Sequence, residues 1–106
     1  MNKKQLEIQR SKTRNKYMIR GGNYYSRRAV NGIYFNPSNS WAHEKKKAEI
    51  CYGLLKEKKK FITEAQDRKT KLIRDIVVLD DDSIIEVETT EKRAKRHGKE
   101  ITVERT

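Results

Sequence analysis

Hydrophobic positions follow two different periods in the second half of the chain. The helical period is carried by Ala48, Ile50, Cys51, Leu54 and Leu55. Ser40 precedes this run, and its side chain can cap the first turn of a helix. The spacing predicts a helix over roughly residues 41–59. Trp41, at its start, is expected to be a core or staple residue.

Beyond residue 60 the period shortens to that of strands. Runs of β-branched and aromatic residues, or strict alternation, predict strands at roughly 61–64, 72–79, 84–89 and 101–104. Asp80-Asp81-Asp82-Ser83 is typical of a turn, and we interpret its carboxylates as loop residues and not as ligands. Thr90 can cap a short helix that runs to His97 and ends at Gly98. The predicted order is helix, three strands, helix and strand, an α+β fold.

The first 39 residues show neither period. Asn31-Gly32 stands between residues 28–30 and 33–35, the pattern of a two-residue hairpin turn, and Pro37 would end the hairpin. We therefore divide the chain into an N-terminal arm at 1–39, partly disordered or folded as a hairpin, and a core at 40–106.

The net charge of the chain indicates what kind of partner it binds. The 106 residues include 26 Lys and Arg against 15 Asp and Glu, a formal net charge of +11. Residues 1–40 hold nine basic groups and one acidic group, whereas residues 72–106 hold seven and nine. Neutralising phosphates releases counterions, so nucleic acid is the expected partner of so basic a chain. The candidate phosphate contacts of the arm are Arg10, Lys12, Arg14, Lys16, Arg20, Arg27 and Arg28.

Tyrosines lie between these cations, and such a mixture suits single strands, whose bases stack on aromatic rings. A disordered basic tail is the alternative. No apolar stretch of the chain is long enough for a membrane span or a signal peptide, so we expect no membrane partner and a cytoplasmic, intracellular location. The lone Cys51 has no cysteine partner for a disulfide or a thiolate zinc site, and it is expected to be a small core residue.

Acidic residues concentrate on one predicted strand. Glu86 and Glu88 are two positions apart, so they project from the same face. A turn of four residues after Leu79, or of two after Asp80, sets Asp75 opposite Glu88 with Glu86 diagonal to it, whereas a turn of three directs Asp75 away. Three adjacent carboxylates would repel one another, and Mg²⁺ would offset that repulsion. The alternative is a solvated acidic face paired with the chain's own Lys and Arg.

These residues and their order resemble a known family. The segments that carry the resemblance are Ser40-Trp41-Ala42-His43-Glu44-Lys45-Lys46-Lys47, Arg74-Asp75 and Ile85-Glu86-Val87-Glu88. Together they resemble the PD-(D/E)xK nuclease superfamily and, within it, the nuclease-like domain family of competence protein CoiA. The resemblance covers roughly residues 40–104. It implies a restriction-endonuclease-like αβββαβ core and leaves the basic N-terminal arm unexplained.

The resemblance also implies roles. Asp75 and Glu86 would be ligands of Mg²⁺ or Mn²⁺, with Glu88 as a base or an additional ligand and Glu64 as a supporting acid. His43 and Lys47 would point toward the scissile phosphate; a capping-turn histidine and one lysine of a solvated run are the plain alternatives. Position 88 departs from the superfamily, which usually has Lys there to orient the attacking water.

Two functions from different classes follow from these features. The first is a metal-dependent endonuclease that hydrolyses phosphodiester bonds in DNA, with the arm gripping the substrate. The second is a non-catalytic nucleic-acid-binding protein on a nuclease-like fold. A basic adaptor that contacts an acidic protein is a third hypothesis. The resemblance allows a homodimer, because related nucleases cut two strands by presenting two sites.

Overall fold

The fold contains two helices and five strands in the part of the chain that the computed structural model describes, residues 2–19, 30–88 and 101–105. In chain order they are α1 (Lys3–Arg14), β1 (Tyr17–Ile19), α2 (Trp41–Lys56), β2 (Phe61–Asp67), β3 (Ile73–Val78), β4 (Ser83–Glu88) and β5 (Ile101–Arg105). The predicted strands and α2 are confirmed. The helix expected at 90–97 lies outside the described residues. Neither described helix is long and apolar enough to cross a membrane.

The strands form one sheet in the order β1-β2-β3-β4-β5. β1 to β4 pair antiparallel, and β5 runs parallel to β4. A parallel neighbour requires a connection that crosses over the sheet, whereas β2, β3 and β4 follow one another through short turns. The fold is therefore α+β with a mixed sheet.

Helix α2 packs on one face of the sheet. The hydroxyl of Ser40 accepts a hydrogen bond from the backbone N–H of His43 at 3.2 Å, so the predicted N-cap is confirmed. The apolar cluster beneath the helix consists of Cys51, Leu54, Phe61, Ile76 and Val78. Cys51 is a core residue, as expected. The expectation for Trp41 is wrong, because its side chain is 70% exposed.

The second apolar cluster includes Tyr17, Ile62, Val77 and Ile84. Through Tyr17, the N-terminal segment packs against the sheet. Residues 2–19 were expected to belong to an arm. Instead, α1 begins with a capping box between Asn2 and Gln5, and β1 extends the sheet. Leu6 and Ile8 are the only apolar residues of α1, which is too few to form the apolar stripe by which a helix is predicted from sequence.

Two ion pairs fasten this segment to the turn between β3 and β4. The guanidinium of Arg10 donates through Nε and Nη2 to the two carboxylate oxygens of Asp80, each at 2.9 Å. The Nζ of Lys16 lies 2.6 Å from Oδ2 of Asp82. The acidic turn was correctly interpreted as a turn, and the fold uses its charges to hold α1.

The predicted hairpin at Asn31-Gly32 forms only its turn. Asn31 has a φ of 61°, the left-handed conformation that Asn tolerates, but residues 33–35 form no strand. Residues 28 and 29 lie outside the described residues. The turn is instead tied to β2, because the N–H of Asn31 donates to the carbonyl of Phe61 at 2.7 Å and the hydroxyl of Thr63 donates to the carbonyl of Gly32 at 2.9 Å.

Candidate active site

Three acidic residues lie abreast on neighbouring strands at the centre of the sheet. The pairs Thr63 with Ile76 and Ala65 with Arg74 bracket Glu64 and Asp75. On the other side of β3, Ile76 pairs with Ile85, and the next opposed positions are Asp75 and Glu86. The register therefore brings Glu64, Asp75 and Glu86 to one level of β2, β3 and β4.

The expected register between β3 and β4 was wrong by two residues. Val78 pairs with Ser83, so the connecting turn takes the four residues 79–82. The turn had been expected to begin after Leu79 or Asp80. As a result, Asp75 faces Glu86 and not Glu88, which lies at the end of β4 in register with Arg105.

Glu64 interrupts the regular geometry of β2. Its φ is 49°, a conformation that costs a non-glycine residue free energy and is typical of sites where function demands it. Regular alternation would place Ile62 and Ala65 on opposite faces, yet both pack in one apolar cluster. The chain therefore turns over at Glu64, whose side chain is buried beside the helix α2.

Side chains replace the backbone ladder between Asp75 and Glu86. The backbone N–H of Asp75 donates to Oε2 of Glu86 at 3.1 Å, and the N–H of Val87 donates to Oδ2 of Asp75 at 2.8 Å. Each carboxylate thus accepts from the neighbouring strand's backbone. Two backbone donors that would otherwise lack a strand partner are satisfied, and the two carboxylates are held against each other.

Helix α2 supplies the other half of the cluster. Its buried polar residues are His43, Glu44 and Lys47, which share one face of the helix with buried Cys51. The spacing of one, three and four residues along the helix is what lets all three side chains point at the sheet. The fold thus buries a polar stripe at the N-terminal end of α2, where an apolar one would be usual.

His43 connects the helix to the sheet. Its Nδ1 lies 2.5 Å from Oε2 of Glu44, and its Nε2 lies 3.4 Å from Oδ2 of Asp75. The imidazole is therefore held at both ring nitrogens by carboxylates. Only 11% of the His43 side chain and 17% of the Asp75 side chain are exposed, so solvent or a substrate reaches the cluster at this point.

Lys47 is fully buried, and its three donors are all used. Its Nζ lies 2.8 Å from Oε1 of Glu44, 2.8 Å from the carbonyl of Tyr34 and 3.4 Å from Oε2 of Glu64. The resemblance had implied that Lys47 points toward a scissile phosphate. The geometry places its charge between two carboxylates inside the protein, where it neutralises Glu44 and Glu64.

Arg74 plays the corresponding part beside Glu86. Its Nη1 donates to Oε1 of Glu86 at 3.0 Å, and both side chains are largely buried. The Nε of Arg74 is buried and has no hydrogen-bond partner within the described ranges. Lys47 and Arg74 together carry two positive charges among four carboxylates, and His43 is the third basic group of the cluster.

The environment drives the pKa values of two carboxyl groups apart. Burial and the charge of Asp75 raise the pKa of Glu86 from 4.5 to about 7. Burial also acts to raise the pKa of Glu44, but hydrogen bonds from Lys47, from the backbone of Asn36 and from His43 outweigh it and lower that pKa to about 2. Such separated values are frequent at sites of acid and base chemistry.

Asp75 and Glu86 were also the expected metal ligands. Among the described residues, no group of three His, Cys, Asp or Glu side chains is arranged to hold a metal ion. Mg²⁺ needs only one or two carboxylates when water and substrate oxygens complete its coordination. Burial is the main cause of the raised pKa of Glu86 and the charge of Asp75 adds to it, so a cation beside the two carboxylates would offset their repulsion. The pair fits Mg²⁺ held in that way, and it does not fit a metal held by protein ligands alone.

The basic residues of the expected arm differ in where the structure places them and in what they contact. Arg10 and Lys16 are engaged by Asp80 and Asp82. Lys12 and Arg14 lie in the last turn of α1. Arg20, Arg27 and Arg28 lie outside the described residues.

Two members of the cluster were not among the predicted site residues. From the sequence, Glu44 could approach the site on the stripe that it shares with Cys51, but balancing the helix dipole was the preferred interpretation. In the structure only 4% of Glu44 is exposed and it contacts both His43 and Lys47. Its position three residues before Lys47 was the available signal. Arg74 was noted only as part of a motif, although a charged residue within a β-rich run indicates a buried partner.

Comparison with protein-family models, with curated proteins and with solved structures finds no match to this chain.

Proposed function

We propose that this protein is a nuclease that hydrolyses phosphodiester bonds in nucleic acid, with DNA as the first substrate to test. The observation that carries the proposal is the meeting of Asp75 and Glu86 on adjacent strands with His43 from α2. Buried titratable groups that contact one another near the surface are typical of catalytic sites. The net charge of +11 supports a polyanionic substrate.

The order of elements also supports the proposal. Helix α2 is followed by the antiparallel strands β2, β3 and β4, and β5 runs parallel to β4. This order is similar to that of the restriction-endonuclease-like αβββαβ core that the resemblance implies, whose second helix would fall at 90–97, outside the described residues. Asp75 and Glu86 lie on the second and third strands of that order, where the superfamily has its acidic motif.

The residues have separate tasks in this proposal. Asp75 and Glu86 would hold Mg²⁺ or Mn²⁺, which would polarise the phosphoryl oxygen and lower the pKa of an attacking water. With the Nδ1–H of His43 donating to Glu44, the Nε2 of the imidazole would present its lone pair beside Asp75 and would accept a proton from that water. Glu64 acts at a distance, through Lys47. Glu88 is the further base or ligand that replaces the usual Lys.

A non-catalytic nucleic-acid-binding protein on the same fold is the second candidate. The observation in its favour is the engagement of the carboxylates by the chain's own cations, Lys47 with Glu44 and Glu64 and Arg74 with Glu86. In that case the cluster is a structural ion network. The two candidates differ in whether Asp75 is needed for more than folding.

Cleavage of plasmid, branched and single-stranded DNA with Mg²⁺ or Mn²⁺ tests the proposal. The variant to compare is Asp75→Asn, which keeps a carbonyl oxygen for the N–H of Val87 but removes the charge. The control is Glu57→Gln, at the exposed C-terminal end of α2 and remote in sequence from the cluster. We expect the parent and the control to cleave and Asp75→Asn to bind DNA without cleaving it.

Loss of DNA binding together with cleavage in Asp75→Asn would point to a folding defect, which thermal unfolding of the variant distinguishes. Salt-sensitive binding by the parent with no cleavage of any substrate under either metal would contradict the nuclease proposal and support the second candidate.

A further inference from the structure

A groove of about 470 Å³ lies next to the buried cluster and is lined by Phe35, Asn36, Pro37, Asn39, Trp41 and Glu44. Two of its walls are aromatic and open to solvent, since Trp41 is 70% and Phe35 is 54% exposed. Large exposed aromatic side chains that share one concave surface are uncommon on a protein without a partner for them. The groove therefore has the form of a binding site.

The groove is joined to the cluster through two of its walls. Glu44 lines the groove and also contacts His43 and Lys47. The ring of Phe35 has the Nζ of Lys47 at 6.0 Å from its centroid. A group bound in the groove would thus contact Glu44, which contacts His43, and His43 in turn contacts Asp75.

The polar groups around the aromatics fit a nucleobase. Asn36 and Asn39 place amide groups beside Phe35 and Trp41. The amide oxygen of Asn36 already accepts from the N–H of Ser38 and the amide nitrogen of Asn39 donates to Glu44, so a base edge would meet the amide nitrogen of Asn36 and the amide oxygen of Asn39. Asn39 and the backbone of Asn36 are already fixed by hydrogen bonds to Glu44, so this wall is rigid. An aromatic ring offers every base a stacking surface, which an apolar peptide side chain does not exploit to the same degree.

Charge favours the same occupant. Lys45 is exposed and lies four residues after Trp41, so the two side chains are neighbours on the surface of α2. A cation one turn from a stacking ring is positioned for the phosphate that follows a stacked base. An acidic peptide would use Lys45 but would leave the aromatic walls without a matching surface.

We propose that the groove between Phe35 and Trp41 stacks an unpaired nucleobase of a single-stranded or branched nucleic acid. This inference rests on the proposed nuclease function, which explains why the groove lies beside the cluster. It adds the substrate class of that site, a nucleic acid with an unpaired base. A base held there would fix the adjoining phosphodiester near His43 and Asp75.

Trp41 is the single tryptophan of the chain and reports on the groove directly. The experiment titrates the protein with fluorescently labelled oligothymidylate or oligouridylate in EDTA, so that no cleavage occurs. Trp41 emission reports stacking, and the anisotropy of the label reports affinity. We expect saturable quenching by the single strands, with less quenching by a blunt duplex bound under the same salt. The two oligonucleotides distinguish DNA from RNA as the source of the base.

Variants separate stacking from general binding. Trp41→Ala is expected to weaken binding of the single strand about 5- to 150-fold, the range that loss of one stacked base implies. Trp41→Phe keeps a ring and should retain most of the affinity. The matched control is Tyr52→Ala. Tyr52 is 63% exposed on the same helix, but it does not line the groove, and its ring has the Nζ of Lys56 at 5.7 Å from the centroid.

The outcomes also separate this inference from the proposed function. Binding without quenching, or equal affinities of the parent and Trp41→Ala, would overturn the stacking inference even if the protein cleaves DNA. Trp41-dependent binding without cleavage would support the stacking inference and contradict the nuclease. Absence of any binding to the single strands would overturn the stacking inference, and the cleavage assay with Mg²⁺ or Mn²⁺ would then decide the nuclease proposal separately.

Discussion

His43 of α2 and Asp75 of β3 meet at 3.4 Å, between the imidazole Nε2 and the carboxylate Oδ2. The contact joins the helix to the centre of the sheet and lies at the exposed edge of an otherwise buried cluster. Residues 32 positions apart in the chain are thereby brought to one point, where a water molecule would have a base and a carboxylate beside it.

The role of His43 can be tested by replacing it with Gln. We expect His43→Gln to reduce cleavage about 100-fold or more, because a general base contributes about that much or more to a hydrolytic rate. Cleavage rates at saturating DNA are the measurement, at temperatures well below the unfolding midpoint. Glu49→Gln, six residues along α2 and exposed, is the control and should cleave at a rate close to the parent's. A rate unchanged in His43→Gln would assign the chemistry elsewhere.

Lys47 should matter for folding. Lys47→Met removes the cation between Glu44 and Glu64 and leaves two buried carboxylates without it, which costs about 3–5 kcal/mol of unfolding free energy. Urea denaturation measures the loss. The matched control Lys45→Met, on the exposed face, should change stability by less than about 0.5 kcal/mol. Adding Glu64→Gln to Lys47→Met should recover part of the loss, since one of the unpaired charges is then removed; no recovery would mean that Lys47 stabilises through packing alone.

Mg²⁺ should stabilise the folded protein through Asp75 and Glu86. A cation that binds only the folded state adds about 2.7 kcal/mol at a concentration 100 times its Kd. We expect the thermal midpoint of the parent to rise with added Mg²⁺ and that of Asp75→Asn to stay constant. Glu57→Gln is the control for general ionic effects and should follow the parent. Equal shifts in the parent and in Asp75→Asn would place any cation elsewhere.

Glu44 should make the free energy of unfolding depend on pH in the acidic range. Its pKa is about 2 in the folded protein against an ordinary value of 4.5, so the unfolded chain takes up the proton first as the pH falls. The stabilisation is therefore present above pH 4.5 and is lost between about pH 4.5 and pH 2, on the order of 2–3 kcal/mol. Glu44→Gln should lack this component of acid unfolding, whereas Glu57→Gln should keep it. The same acid dependence in Glu44→Gln and the parent would show that another group is responsible.

The pair of Arg10 and Asp80 should anchor α1. Its two hydrogen bonds are partly shielded from solvent, with 20% and 16% of the side chains exposed. A double-mutant cycle with Arg10→Ala and Asp80→Ala should give a coupling of about 1–2 kcal/mol, above that of an exposed pair. Lys12→Ala in the same helix is the control and should leave stability nearly unchanged. A coupling near zero would mean that α1 is held by packing and not by this pair.

Residue spacing alone determined most of the core elements. The helical period after Ser40 and the strand runs after residue 60 gave α2 and β2 to β5, because amphipathic periodicity reflects burial on one face and burial is local to each element. The same pattern did not reveal α1 or β1. Few apolar residues mark α1, and β1 is three residues long, so their positions depend on Tyr17 and on contacts with distant Asp80 and Asp82.

The site was predicted in part. Asp75, Glu86, Glu64, His43 and Lys47 were expected to act together, and the structure brings them into one contiguous cluster. Spacing along a strand fixes which residues share a face, but the pairing of two strands depends on where their turn begins. The sequence placed Glu88 opposite Asp75 because the turn was expected to follow Leu79 or Asp80, and the turn at 79–82, which follows Val78, put Glu86 there.

The tertiary structure determined which charged side chains meet at the site. A lysine in a basic run has no signature that distinguishes burial from exposure, and Lys45 and Lys47 differ only in which way the helix turns them. Burial of Lys47 and Arg74 among four carboxylates follows from how α2 packs on the sheet. The sequence by itself determined which ionisable groups the protein has, and packing determined which of them meet, because electrostatic interactions depend on distances that a linear pattern does not contain.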